Sequence, residues 1–455
     1  MKKRSAYFDK LFPSLLKNPL PRGLFMLSLF LFVSGCSDKP SLEEQEAQKQ
    51  QNYASLSWLK HRPHTGLQEE LKQLLSDGHT PLQLQAKQFK NPIPFKENVD
   101  SEIRKLFTPE TTQRLSEQLD SIEFPDSLPL TTHQIQTIRQ LQQEYEPLKK
   151  RYREALERPQ CKIKIELDKG FLEESIPFLD AVKLGNRLDG LLIQIHLHYN
   201  DLPQILVTLR YRFRSSSLLR QAPHLECRLA AAYAREDASV VLQQLMNRPD
   251  MNRPALEAIH RQFTKELKNW PDEYPPFVSE RAKGLHAYEM IRDGHLMSLL
   301  SDDELENLRK ARKILSFSSH VKNSLDDDEY FFLKTIRNLQ REITEKPYHL
   351  RADFFDLIHN ELEQADKKGS YPLVFDLLFL DELETAYHNL TQEKSRTMAW
   401  VALLERSLQI PREAPMINPL TGRPFEVYRS GKYYYLEPFN PANPTELYRV
   451  PHVEK

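Results

Sequence analysis

The sequence predicts a mainly α-helical protein: an irregular antiparallel multi-helix body with a small C-terminal β-hairpin, behind an N-terminal signal and a disordered tether. Three observations predict it. Only 12 of 455 residues are Gly, where an average chain has roughly 7%, and so few positive-φ turns disfavour sandwiches, barrels and dinucleotide folds. The 31 Pro suit helices cut by stiff loops, because Pro is tolerated in a first helical turn and breaks an interior one. The stretches between prolines keep apolar residues at three-and-four spacing, the period of a helix with one buried face.

Lys2, Lys3, Arg4, Lys10, Lys17 and Arg22 stand against one acid, Asp9, ahead of the apolar run at 24–33. That run is half the roughly 20 residues a helix needs to cross a bilayer, so the segment reads as a secretory signal rather than a span. It closes on Val33-Ser34-Gly35-Cys36. Small residues at 34 and 35 let a peptidase close around the backbone, and Cys36 supplies the thiol that accepts a diacylglycerol. The pattern resembles a bacterial lipobox. It implies cleavage between Gly35 and Cys36, lipidation of Cys36 and attachment to an envelope bilayer through that residue. An ordinary signal peptide and an uncleaved signal anchor are the alternatives. Ser37 stands where Asp would favour inner-membrane retention in well-studied proteobacteria, so the outer membrane is favoured, with the body in the periplasm.

Removing those 35 residues, with six cations and one acid, takes the formal charge from −1 to −6. A mildly acidic chain without a basic domain argues against a nucleic-acid partner. Cys161 and Cys227 remain. An even pair in an oxidising compartment invites a disulfide between them, and two buried thiols acting as small hydrophobes are the alternative.

Residues 36–55 are rich in Gln and Glu, poor in apolar groups, and read as a flexible tether. Residues 56–130 form a Pro-interrupted helical segment in which Thr108-Pro109 marks a helix start. A helical body occupies 131–410. It opens with a long amphipathic helix from Thr131 to Arg158, which Pro147 kinks and Pro159 ends. Cys161 to Leu167 then alternates as a short extended segment. Helices follow from Leu179 to Tyr199, from Asp201 to Leu219, from Pro223 and from Arg253, with connections short enough to make neighbours antiparallel. Ser301-Asp-Asp-Glu304 and Ser324-Leu-Asp-Asp327 read as capping sequences, and Ser370-Tyr371-Pro372 starts a further helix. In the Pro-rich tail at 411–455, two β-rich runs flank Ser430-Gly431 as a hairpin. An isolated hairpin is marginal, so it packs on the helices.

Two places carry a resemblance. One is Arg158-Pro-Gln-Cys161 with the long helices after it, Asp201-Leu-Pro-Gln-Ile-Leu-Val-Thr-Leu209 and Pro223-His-Leu225. The other is Asn418-Pro419-Leu-Thr421-Gly422-Arg-Pro424-Phe425. Together they resemble a set of uncharacterised bacterial helical envelope lipoproteins with a C-terminal Asp-Pro-x-Ser/Thr-Gly-x-Pro segment. The resemblance covers roughly 155–270 and 395–440, and implies fold and location but no activity. Asn418 replaces the usual Asp, and Leu408-Gln-Ile-Pro411 lacks the Gly-x-Tyr-Pro loop. A similar tail segment occurs in pseudopilins, whose N-terminal methylated helix is missing here.

No catalytic, cofactor or metal residues are assigned. His196 and His198 lie about 200° apart on a helix and cannot share a metal on one face. Asp326-Asp327-Asp328-Glu329 lacks the spaced oxygens and central Gly of a calcium loop and reads as an acidic helix N-terminus. Arg210, Arg212, Arg214 and Arg220, with Tyr211 and Phe213, suit intramolecular ion pairs, or an anionic glycan or lipid. Tyr433, Tyr434 and Tyr435 suit packing on the helices, or recognition. His-Glu-x-x-His, Gly-x-Ser-x-Gly and phosphate-binding Gly loops do not occur. The expected role is structural or protein interaction with an unidentified envelope protein. The alternatives are an envelope hydrolase acting on wall or glycan, with Glu166 or Glu304 among its carboxylates, or an accessory factor of a secretion apparatus.

Overall fold

The computed structural model describes residues 64–90, 92–122, 129–167, 176–310, 314–437, 439–440 and 448–453. Gly35, Cys36 and the tether at 36–55 lie outside them.

The first helices are short and well capped. They are α1 (Thr65–Ser76), α2 (Pro81–Phe89), α3 (Val99–Leu106) and α4 (Pro109–Asp120). Thr80 and Gln83 form a capping box on α2. Thr108 accepts from the Thr111 amide, with Pro109 in the first turn of α4, as its sequence predicts. The long helix α5 (Thr132–Leu156) starts on a second capping box, Thr131 with Gln134, and runs on through Pro147.

After α5 the chain runs without regular helix or strand over 161–166. Ile163, Ile165 and Leu167 are buried while Lys164 is exposed, so the alternation holds. Its backbone is satisfied largely by side chains rather than by a partner strand. The Lys162 amide donates to Asn98 Oδ1 at 2.9 Å, Asn98 Nδ2 donates back to the Lys162 carbonyl at 3.2 Å, and the Leu167 amide donates to Gln85 Oε1 at 3.0 Å.

Next come α6 (Pro177–His198), α7 (Leu202–Leu219), α8 (Leu225–Leu245) and α9 (Arg253–Lys268). Asp201 and Asn252 cap α7 and α9, each with Pro at the second helical position. Helices α6 and α8 both pack on α7 and touch each other much less, and α9 packs chiefly on the distant α14 rather than on α8.

The second half comprises α10 (Pro275–Arg292), α11 (Asp302–Lys310), α12 (Ile314–Glu345), α13 (Phe354–Lys368) and α14 (Asp381–Leu408). The turn Leu373–Phe375 and the wider π-turn Asp376–Leu380 lead into α14. Helices α10 and α12 cross closely: an added Cβ on Gly284 would lie 2.2 Å from Phe332 Cζ. Ser324 to Asp327 is not a helix start. It lies in the middle of α12, and Ser324 Oγ donates to the His320 carbonyl four residues back. The apolar spacing continues through it with Val321, Leu325 and Phe332, all buried, so the helix has no reason to begin there.

The hairpin gains a third strand. Strands β1 (Val427–Ser430), β2 (Tyr433–Leu436) and β3 (Arg449–Pro451) form an antiparallel sheet in that order, with Ser430 opposite Tyr433 and Tyr435 opposite Arg449. Gly431, at φ +58°, takes the left-handed corner. The sheet lies on α14, where Trp400 meets Tyr448 edge-on with ring centroids 4.6 Å apart. Three strands and a buried aromatic seam satisfy what a lone hairpin lacks.

Candidate binding grooves on the helical body

Because α6 and α8 meet mainly through α7, a groove of about 830 Å³ opens between them. Small and apolar residues shape it. Gly190 and Ile193 come from α6, Ala230 and Ala234 from α8, and Leu219 from α7. On α8 the lining recurs at 226, 229–230, 233–234, 237, 240–241 and 244, a single helical stripe. Tyr233 and Val240 on it are about half exposed, at 47% and 51%. Among the charges, Lys183 pairs with Glu226 at 2.6 Å and Arg187 with Asp120 at 2.8 Å. Arg212 is different. It is 6% exposed, its one carboxylate partner, Asp237, is 3.5 Å away, and its Nε has no acceptor among the described residues. Burial pulls its pKa below the ordinary arginine value, against the pull of Asp237 and Asp189.

A second groove of about 950 Å³ lies between α7 and α9. Its floor includes Leu206, Leu209, Phe213 and Ile259. Its rim is basic, with Arg158, Arg210, Arg214, Arg261 and Lys265 against Glu157 and Glu266. Arg158 pairs with Glu102, Arg210 with Glu157, and Arg214 donates to the carbonyls of Leu156 and Arg158.

The arginine cluster of α7 is therefore divided. Arg210 and Arg214 face the second groove, Arg212 the first, and Arg220 the interior. There Arg220 donates to Glu393 at 2.6 Å, Arg235 pairs with Glu266, and Arg235 Nε donates to Thr397 at 2.9 Å.

The other sequence candidates take separate places. His198 Nδ1 accepts from the Leu130 amide at 3.1 Å, and burial lowers the pKa of half-buried His196. Cys161 and Cys227 are free thiols in the structure. Cys227 lies in the core formed by α3 to α8, with Cys161 packed against it. Burial pushes the Cys161 thiol up to about 12. Glu166 pairs with Lys164, and the Glu304 side chain lies outside the described residues.

The acidic run at 326–329 lies within α12 rather than at a helix N-terminus, and its carboxylates tie that helix to others. Asp326 and Glu329 both pair with Arg292, and Asp327 meets His64 at 3.0 Å. Asp328 is buried and accepts from the amides of Val374 and Phe375 at 2.7 and 3.0 Å and from the Tyr288 hydroxyl at 2.7 Å. It thus caps, from another helix, the turn that starts at Leu373. Burial pushes it up to about 7.

Tyr435 stacks on Tyr428, Tyr433 lies under Arg449, and Tyr434 packs toward the core beneath α14. The Asn418 to Phe425 segment forms a corner. Asn418 Oδ1 accepts from Ser395 Oγ at 2.7 Å and from the Leu420 amide at 3.0 Å, while Nδ2 donates to the Phe439 carbonyl at 2.7 Å. An aspartate could accept both bonds but could not donate the third, which gives the departure at Asn418 a physical reason. Gly422 sits at φ +69° with the His349 ring 2.7 Å from where a Cβ would lie.

Sequence reasoning missed one carboxylate pair. Glu280 of α10 is buried, and Glu382 of α14 is pushed up to about 7 by burial and then by the charge of Glu280. They are 102 positions apart, so no local spacing signals them. Among the described residues, no group of three or more His, Cys, Asp or Glu is placed to hold a metal, and no helix is long and apolar enough to cross a membrane.

No protein-family model, curated protein or solved structure matches the chain.

Proposed function

We propose that this chain is a lipid-anchored bacterial envelope protein, held by an acylated Cys36, whose helical body binds other envelope components and has no catalytic role of its own. Val33-Ser34-Gly35-Cys36 behind a basic lead and a short apolar run is the observation that carries the reading. The outer membrane, with the body in the periplasm, is the favoured location, and the uncharacterised helical envelope lipoproteins named above are the favoured kin.

The grooves support binding over hydrolysis. Glu226 and Asp237, both lining the first groove, are eleven positions apart on one helix. At 1.5 Å per residue that is about 16 Å along the axis, beyond the roughly 5–9.5 Å that separates the two carboxylates of a glycoside hydrolase. In the second groove Glu157 and Glu266 are each engaged by arginine.

Labelling cells with a palmitate analogue and weighing the purified chain tests the anchor. The native chain is expected to incorporate label and to begin at a lipid-bearing Cys36, and Cys36→Ser to incorporate none and keep its leader. Label in Cys36→Ser, or a native chain without lipid mass, overturns the reading.

A further inference from the structure

Arg212 is the unsettled charge of the first groove. A buried guanidinium ordinarily has its donors engaged, because an unpaired buried charge is costly. Here the other groove cations have carboxylates within 2.8 Å, whereas Arg212 has Asp237 at 3.5 Å and an Nε without an acceptor among the described residues. Asp237 itself is largely exposed, with 72% of its side chain open to solvent. Asp189 is already taken by Arg153 at 2.8 Å. One further carboxylate would complete the site at the Nη end of the guanidinium, where Asp237 approaches only to 3.5 Å.

The rest of the groove suits an alkyl chain. Gly190, Ala230 and Ala234 leave a channel, and Leu219, Leu229 and Val241 give it apolar walls. The α8 stripe from Glu226 to Gln244 spans about 27 Å at 1.5 Å per residue, and the 830 Å³ volume lies within the roughly 300–1,000 Å³ of small-molecule sites. Small ligand sites combine apolar lining with a few placed polar groups, and of the three groove cations Arg212 is the one without a carboxylate inside 3 Å.

We propose that the groove between α6 and α8 binds a long-chain fatty acid, its carboxylate on Arg212 and its alkyl chain along the Gly190–Ala230–Ala234 channel. The proposal is independent of the anchor: it concerns a non-covalent ligand on the body, and the Cys36 labelling result does not bear on it.

A diazirine-bearing palmitate, photolysed with the purified full chain, tests the site. Adducts are expected on peptides of α6 and α8, competed by excess palmitate and at least tenfold less well by hexadecanol, which has the chain without the charge. Arg212→Gln should reduce labelling at least tenfold. Should that variant fail to fold, as read by circular dichroism, Ala230→Trp decides. It fills the channel from a half-buried position, leaves Arg212 in place, and should block labelling to the same degree. Adducts only elsewhere, equal competition by the alcohol, or undiminished labelling of a folded Arg212→Gln or Ala230→Trp chain overturns the proposal.

Discussion

Glu382 shows how a single side chain can set the pH response of this body. Burial and the neighbouring Glu280 raise it from the ordinary 4.5 to about 7. The folded chain therefore binds a proton there between about pH 4.5 and 7 while the unfolded chain does not. Stability contributed by that proton is fully present near the lower value and falls as pH rises toward 7. Glu382→Gln removes the titrating group and keeps the shape. Denaturant unfolding should show the variant more stable than the native chain at pH 8, by on the order of 2 kcal/mol, with no gain near pH 4.5. A gain of equal size at both pH values would mean that the charge of Glu382 is not the cause. Asn418 is the opposite case, a buried polar residue held by three partners. Asn418→Asp loses the donor to the Phe439 carbonyl and buries a carboxylate beside that oxygen. It should cost about 2–3 kcal/mol, read as a lower thermal midpoint, and an unchanged midpoint would remove Asn418 from its place as the corner's fastener.

At the scale of elements, backbone chemistry was legible wherever it is local. Thr108 with Pro109 caps α4 as its sequence signal predicts, and helices expected from Thr131, Asp201 and Arg253 begin within a residue of those positions, because a cap is settled within four residues. The alternation at Cys161 to Leu167 was equally plain, since burial follows it residue by residue. Ser324 to Asp327 misled because a Ser-x-x-Asp pattern is local evidence for a cap, whereas the use of Asp326, Asp328 and Glu329 depends on Arg292, Tyr288 and Val374, which come from elsewhere in the chain. The third strand was invisible for the same reason: three residues at 449–451 have no period of their own and become a strand only by pairing with β2. The site followed the same rule. Arg212 was visible as one of an arginine series, but its isolation from a close carboxylate depends on how α6 and α8 share α7. Element packing also makes a prediction. Helices α10 and α12 approach so closely at Gly284 that an added Cβ would overlap the Phe332 ring, a buried ring that itself contacts Tyr288 and Phe379. Gly284→Ala gains helix propensity, worth about 1 kcal/mol, and forces the ring to move, at about 1–3 kcal/mol or more. The net effect should be destabilising by denaturant titration, and Phe332→Leu in the same chain should relieve part of it. If Gly284→Ala is stabilising alone, the close crossing is not a constraint.

Across the whole molecule, one polar network joins parts of the sequence that share no local signal. Arg220 ends α7, Arg235 lies in α8, Glu266 in α9, and Glu393 and Thr397 in α14. The pair Arg220–Glu393 spans 173 positions at 2.6 Å, and both side chains are at most 2% exposed. Trp270 lies over the Arg220 guanidinium at 3.8 Å. The network ties α14, which carries the C-terminal sheet, to α7, α8 and α9. Burying two charges costs several kcal/mol apiece, so the pair need add little net stability, yet breaking it leaves buried Arg220 with only the longer contact to Glu266, at 3.7 Å. Glu393→Leu alone should therefore cost about 3–5 kcal/mol, whereas Arg220→Met with Glu393→Leu should recover most of that loss. A denaturant double-mutant cycle measures both. Near-additive losses would show that neither charge depends on the other and that the network holds no register. Recovery of stability together with lost near-ultraviolet signal from Trp270 and Trp400 would show what the charges do: they select one arrangement of α14 over its neighbours.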